Sequence, residues 1–374
     1  MKILSNLAKR AVQKLGSSAE IHINGDRPWD IQVKDERCYQ RILFHQSLGL
    51  GESYMDNWIE CEQLDEFICR ILHSKIALRM AEKWKILYCL QGLLVNLGSL
   101  RQPFHIGKTH YDIGNDLFEK MLDQRMTYSC GYWKKAKTLD EAQEAKLELV
   151  CKKLRLQPGM RILDIGCGWG SFVKYAAERY DVEAVGVTVS KEQVELGKKL
   201  CKGLPVEIRL QDYRDVHDPF DAIVSIGMFE HVCHMNYRSY MKVAHRNLKE
   251  KGLFLLHTIG NNVSTGGIDP WIRKYIFPNS MLPSLVQIGH AIEGLFVAED
   301  WHNFGSDYDK TLIAWHRNFE QHKALWLEKY GERFFRMWKY YLLTCAGIFR
   351  DRRLQLWQIV LSKKGIEGGY LSVR

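Results

Sequence analysis

The chain is predicted to be an α/β protein: a Rossmann-like, doubly wound sheet of seven mostly parallel strands, preceded by a small, mainly helical domain. Three observations predict it. Five short apolar runs, Arg161–Ile165, Glu183–Val187, Val206–Leu210, Ala222–Ile226 and Leu253–Thr258, alternate with helix-patterned segments near 170–180, 190–201 and 236–248. Alternation at that length requires parallel crossovers. The first run leads directly into Gly166, Gly168 and Gly170 and then a helical pattern, the turn by which such a sheet comes close to a nucleotide. Ahead of residue 98 the apolar spacing is helical instead, without that glycine fingerprint.

From the N-terminus, Ile3, Leu4, Leu7, Ala8, Ala11, Val12 and Leu15 share one helical face, with Lys9, Arg10 and Lys14 off it. Such a helix either lies on anionic lipid or packs on its own domain. Leu48–Trp58 is punctuated by glycines and reads as a turn between helices. The pattern over Leu64–Leu100 is helical again. Its most apolar part, Ile86–Leu100, is broken by Gln91, Asn96 and two glycines, so it reads as a buried helix, short of the ~18 apolar residues of a membrane span. Gly98–Lys108 reads as a linker, which divides the chain into a helical domain at 1–97, a linker at 98–108 and an α/β domain at 109–374. Phe296–Phe304 and Leu354–Ser362 read as two further strands that close the sheet edge. Ile259–Pro283 is long, carries Gly266, Gly267 and three prolines, and reads as a substrate loop or lid.

Composition narrows the class. The 374 residues are 46% hydrophobic and 26% charged, ordinary for a soluble globular chain. The net charge of +9 calls for an anionic partner, either nucleic acid or an acidic membrane surface. No RNA-binding pattern or concentrated Lys/Arg tract accompanies that charge, so no nucleic acid is expected. Met1–Leu15 lacks the uninterrupted apolar core of a secretory signal. Ten cysteines without CxxC pairs or zinc-like spacing read as reduced thiols of a cytoplasmic protein.

The cofactor is expected at the carboxyl ends of the strands. Asp164 lies on the first strand, and Gly166, Gly168 and Gly170 would admit the ligand. An NAD site carries an acidic residue at the end of the second strand, whereas this chain has Thr188, Ser190 and Gln193 there. The third strand ends in Gln211-Asp212-Tyr213, whose carboxylate suits an adenine amino group. S-adenosylmethionine is therefore favoured over NAD, although Asp212 has the plainer alternative of capping a turn. His231 and His234 stand near Glu230, but no HExxH pattern exists, and no metal site is expected.

His110–Trp133 (HYDIGNDLFEKMLDQRMTYSCGYW), LDIGCGWGSF, GVTVS, QDYRD, GMFEHV, LLHTIG, DPWIRKYIFP and EDWHNFGSDYDKTLIAW, with SLGLGESYMDNW nearer the N-terminus, resemble the cyclopropane-fatty-acyl-phospholipid synthase family over nearly the whole chain. The resemblance implies a class I S-adenosylmethionine-dependent methyltransferase. It implies methylene addition across a cis double bond of an unsaturated phospholipid acyl chain, with a bound bicarbonate as general base. The positions matching the bicarbonate site are Cys130, Glu230, His257 and Tyr308, with the backbone of Ile259. Tyr128 and Ser129 match positions that contact the cofactor. Cys345 matches a cysteine considered as a nucleophile, though this chemistry needs no covalent enzyme intermediate. Tyr132, Trp133, Phe229, Tyr275, Trp301 and Tyr308 are candidates for an aromatic wall around the acyl chain. The chain departs from the family at Cys233-His234, where glycine usually follows Glu-His-Val.

The expected partner is therefore an anionic phospholipid bilayer, approached peripherally at the inner face of the membrane, with a homodimer through the N-terminal domain as a second expectation. The alternative activity is that of a related C- or N-methyltransferase acting on another lipid or a small amine without ring closure.

Overall fold

The structure, a computed structural model, describes residues 2–74 and 114–374. The expected linker at 98–108, the helix at 86–100 and the start of the His110 motif lie outside those residues. Contacts divide the described chain into two compact units. One gathers residues 2–74, 265–278 and 309–354; the other gathers 114–264, 279–308 and 355–374.

In the first unit the helix Lys2–Ser18 packs on the helix Arg37–Met55. Ala8 and Val12, four residues apart, are buried in that contact, and Lys9 Nζ reaches Glu36 Oε1 at 2.6 Å. Ala8 and Val12 thus serve internal packing, while Leu7 of the same stripe is 56% exposed. A two-stranded antiparallel ladder joins β1 (Gln32–Val33) to β2 (Ile59–Glu60). The turn expected at Leu48–Trp58 is instead the end of the helix Arg37–Met55, which kinks at Gln46. Its glycines mark close approach, not reversal. A Cβ on Gly49 would fall 2.1 Å from the Arg41 carbonyl oxygen, and one on Gly51 would fall 2.4 Å from the Trp271 ring.

The second unit is the predicted sheet. Its strands are β3 (Arg161–Ile165), β4 (Glu183–Thr188), β5 (Val206–Leu210), β6 (Phe220–Ile226), β7 (Leu248–Asn261), β8 (Val297–Asn303) and β9 (Leu354–Ser362). They run in the order β5-β4-β3-β6-β7-β9-β8, with β5 to β7 parallel and β8 antiparallel to β9. Both faces are covered, which explains the near-continuous apolar runs. Leu163, Ile165, Val185 and Val187 face one cluster with Tyr240 and Met241 of the helix Tyr237–Asn247. Ile162, Ala184 and Val224 face the other, with Leu147 and Val150 of the helix Leu139–Lys153. Strand order reverses at β3, so a crevice opens beyond the carboxyl ends of β3, β4 and β6.

The segment expected as a loop at Ile259–Pro283 is partly built. It carries the helix Pro270–Tyr275, capped by Asp269, whose side chain accepts from the Trp271 and Ile272 N–H groups. Residues 265–278 belong to the first unit, so the stretch is not one free lid.

Candidate active site

A cavity of about 260 Å³ opens at the crevice. Gly166 and Gly168 line it, and Gly168, at φ +56°, has open space where a Cβ would stand. A side chain there would be strained and would fill the cradle. Gly170 is not among the lining residues. It caps the helix Ser171–Tyr180 in the left-handed region, at φ +88°, and a Cβ on it would meet Ile208 Cδ1 at 2.9 Å. The position of the missing NAD acid is a capping network: Thr188 Oγ1 donates to Gln193 Oε1 at 2.6 Å, and Ser190 Oγ accepts from the Gln193 N–H at 3.3 Å. All three line the cavity.

Gln211, Asp212 and Tyr213 line it as well. Asp212 is engaged as a turn cap at the cavity wall. Its Oδ1 accepts from the Arg214 N–H at 2.9 Å, capping a short turn, and the Arg214 guanidinium holds it at 2.8 Å. Tyr128 and Ser129 form the opposite lining. Asp164 is buried, with Oδ1 lacking a hydrogen-bond partner among the described residues. Burial pushes its carboxyl up to about 7, against the opposing pull of Lys146.

Lys146 lines this cavity and went unread in the sequence. It is wholly buried, and its Nζ donates to Ser129 Oγ at 2.9 Å. Its neighbour Gln143 donates to the Ser129 carbonyl at 2.7 Å, so one helix positions the segment that carries Cys130. A signal existed. Ala142, Lys146, Leu149, Val150 and Lys153 follow helical spacing and are all buried, which places both lysines on the apolar face.

Beside the cavity lies a second, drier cluster. Cys130, Phe304 and Leu356 are buried together, with Tyr132, Ile259 and Tyr308 packed against them. The Phe304 ring lies 5.9 Å from that of His257. Glu230 sits in the short turn Phe229–His231, and its Oε1 accepts from the Ile259 N–H at 2.7 Å. That N–H is therefore spent on orienting Glu230. Glu230 Oε2 is buried with no hydrogen-bond partner among the described residues. Burial pushes this carboxyl up to about 7, against the pull of the Ile259 N–H and, more weakly, of the Thr258 hydroxyl.

His257 is also buried, and burial, with Lys146 and Lys153 nearby, drives its pKa well below the ordinary value. The ring is neutral. Gln358 Nε2 donates to Nδ1 at 3.3 Å, which leaves the proton on Nε2, and Nε2 also lacks a partner. Among the described residues the site thus holds an unpaired buried donor, His257 Nε2–H, and two unpaired buried acceptors, Glu230 Oε2 and Gln358 Oε1. Orphans of this kind cost about 1–3 kcal/mol each unless a ligand pairs them.

Residues 99–359 match the family model described as mycolic acid cyclopropane synthetase. The chain belongs to that family. The cyclopropane-fatty-acyl-phospholipid synthase of Escherichia coli (strain K12) is 53% identical over 364 residues, covering 96% of this chain and 94% of that protein. The cyclopropane synthase MmaA2 from Mycobacterium tuberculosis matches with a TM-score of 0.67 at 32% identity, over 71% of this chain and 100% of that one. Mycolic acid cyclopropane synthase CmaA1, solved with SAH and CTAB, matches with a TM-score of 0.66 at 33% identity, over 71% of this chain and 99% of that one. The class I methyltransferase fold is thus shared with these family members.

Within this member of the synthetase family the aromatic candidates separate. Tyr132 and Tyr308 pack on the Cys130 cluster, and the Trp133 N–H donates to Asp307 at 2.7 Å. Phe229 is core, stacked on Tyr237 at 4.2 Å. Trp301 packs on Trp357. Tyr275 belongs to the first unit, where its hydroxyl donates to Glu52 at 2.8 Å. Cys345 is also in the first unit, on the helix Glu332–Arg350. Burial, with Asp269 nearby, pushes its thiol up to about 12, which leaves no thiolate for nucleophilic attack at neutral pH. Among the described residues no group of His, Cys, Asp and Glu forms a metal cluster.

Proposed function

We propose that this chain is an S-adenosylmethionine-dependent cyclopropane-fatty-acyl-phospholipid synthase that uses bicarbonate as its general base. One observation carries the reading: the buried, unpaired His257 Nε2–H and Glu230 Oε2 beside the cofactor cavity. Bicarbonate offers an O–H to donate and oxygens to accept, so it fits that pair, whereas a second carboxylate would only repel Glu230. Glu230 would take the O–H, and the His257 Nε2–H would hold an oxygen, with Cys130 and Tyr308 closing the pocket.

In the reaction the sulfonium methyl passes to one alkene carbon as its S–C bond breaks. The cation left on the neighbouring carbon must lose a proton from the new methyl before the ring closes. An alkene is a weak nucleophile, so it must be positioned in a dry site. The Cys130, Phe304 and Leu356 core supplies that dryness, and the faces of Tyr132 and Tyr308 can stabilise a passing positive charge. A bicarbonate held between Glu230 and His257 would supply the base that takes the proton.

Mass spectrometry of lipids from cells expressing the chain tests this. A gain of one CH2 on monounsaturated acyl chains, with the double bond lost, is expected. Retained unsaturation, or methylation of an amine, would overturn it.

We infer also that the enzyme reaches its substrate by docking on anionic bilayers. No described helix is long and apolar enough to cross a membrane. Ala8 and Val12 are buried in internal packing, so support comes from the net charge of +9, at about 1 kcal/mol per surface-proximal Lys or Arg. Co-sedimentation with phosphatidylglycerol vesicles is expected at low salt and should fall as salt rises. Binding indifferent to both lipid charge and salt would sink the electrostatic account.

A further inference from the structure

The helix Leu139–Lys153 carries Lys146 and Lys153 two turns apart on its buried face, and neither has exposed surface. Fully buried ammonium groups are rare unless closely compensated. Compensation here is thin, and burial lowers both ammonium groups to about 8, which leaves them charged at pH 7. The carboxylates acting on Lys146 are Asp123 and Asp164, and burial pushes both towards their neutral forms. Lys153 Nζ donates to His302 Nδ1 at 3.1 Å and lies 3.5 Å from Asp300. Yet the Arg374 guanidinium also holds Asp300, at 2.6 Å, so two cations share one carboxylate.

Lys146 holds the hydroxyl of Ser129, next to Cys130, and Lys153 holds His302, whose ring lies 4.9 Å from Phe304 and 5.7 Å from Tyr132 of the Cys130 cluster; both lysines also act on His257. The pocket's own side chains are a thiol, a phenol, a neutral imidazole and a carboxyl. None is cationic, so an anion bound beside Glu230 must be balanced from outside the pocket. An ammonium in direct contact with that anion would also hold its lone pairs and weaken it as a base.

We propose that Lys146 and Lys153 are the countercharge of the anion pocket, attracting bicarbonate through their field. The inference rests on the bicarbonate reading above. They are positioning residues, and their effect falls on anion affinity.

Sodium bicarbonate titrated into the full chain saturated with S-adenosylhomocysteine, followed by calorimetry, tests the pair. Lys146→Met and Lys153→Met are each expected to weaken bicarbonate binding by about tenfold, and the double variant by about a hundredfold. Lys152→Met, on the exposed side of the same helix, should change nothing. Lys153→Met should keep its affinity for S-adenosylhomocysteine, which a merely misfolded variant would not. If Lys146→Met fails to fold, Lys153→Met and Lys153→Gln decide alone. Folded variants that bind bicarbonate like the parent would overturn the countercharge while leaving the bicarbonate reading intact. A parent chain that binds no bicarbonate would overturn both.

Discussion

Glu230→Gln is expected to lower turnover by about 10²–10⁴-fold while making the folded chain more stable at pH 8. The loss follows from the acceptor. Gln presents an amide where the ionised carboxylate takes the ligand's O–H, and its N–H2 end meets the donor it should receive. The gain follows from burial. The carboxyl ordinarily titrates at 4.5, and in the folded chain at about 7. Its contribution to stability is therefore full below 4.5 and is lost as pH rises through 7, because the unfolded chain ionises first. A shift of that size is worth about 3 kcal/mol by pH 8. Gln does not titrate, so the variant should gain that amount relative to the parent between pH 4 and 8. Urea unfolding at the two pH values, with turnover at saturating bicarbonate, measures both effects. Equal relative stability at the two pH values, or undiminished turnover, would reject this role for Glu230.

Phe229→Ala is expected to cost about 3–5 kcal/mol of folding free energy and most of the activity. The ring is fully buried, stacked on Tyr237 at 25° and edge-on to Tyr240 at 5.2 Å. Tyr240 is itself fixed to Ser225 at the end of β6 by a 2.7 Å hydrogen bond. Phe229 therefore anchors the turn from which Glu230 projects. Phe229→Leu should recover most of the stability and part of the turnover, since Leu refills much of the volume. The urea midpoint is the measurement. A cost of the alanine variant below about 1 kcal/mol would show that the turn is held by something else.

The sheet was legible because its strands are buried on both faces. Leu163 and Ile162 point to different clusters yet are equally apolar, so the run announces itself without alternation. Boundaries moved where the chain does more than pair. Leu253–Thr258 extends to Asn261, and the added residues include Ile259, which orients Glu230. Gly49 and Gly51 misled because a glycine that admits a close neighbour, the Arg41 backbone at one and the Trp271 ring at the other, leaves the same mark as one that turns. The placement of 265–278 with the first unit depends on contacts distant in sequence, such as the approach of Trp271 to Gly51, and no local pattern encodes it. Lys146 was hidden by its type: a lysine is read as solvated even where spacing puts it inside. The resemblance named Glu230 and His257, but only the three-dimensional arrangement shows that Ile259 serves Glu230 directly.

Gln358 gives the site its polarity from one strand away. Its amide offers an N–H to His257 Nδ1, and that choice makes the far nitrogen a donor. Were the amide turned end for end, an oxygen would face Nδ1, the imidazole proton would cross the ring, and the same pocket would present a lone pair instead. It would then repel the anion it is shaped to take. Gln358 has no exposed surface, and its oxygen has no partner among the described residues, so the bond to His257 is what orients the amide. The sign of the ligand is thus set by a neutral side chain through a bond that carries no charge.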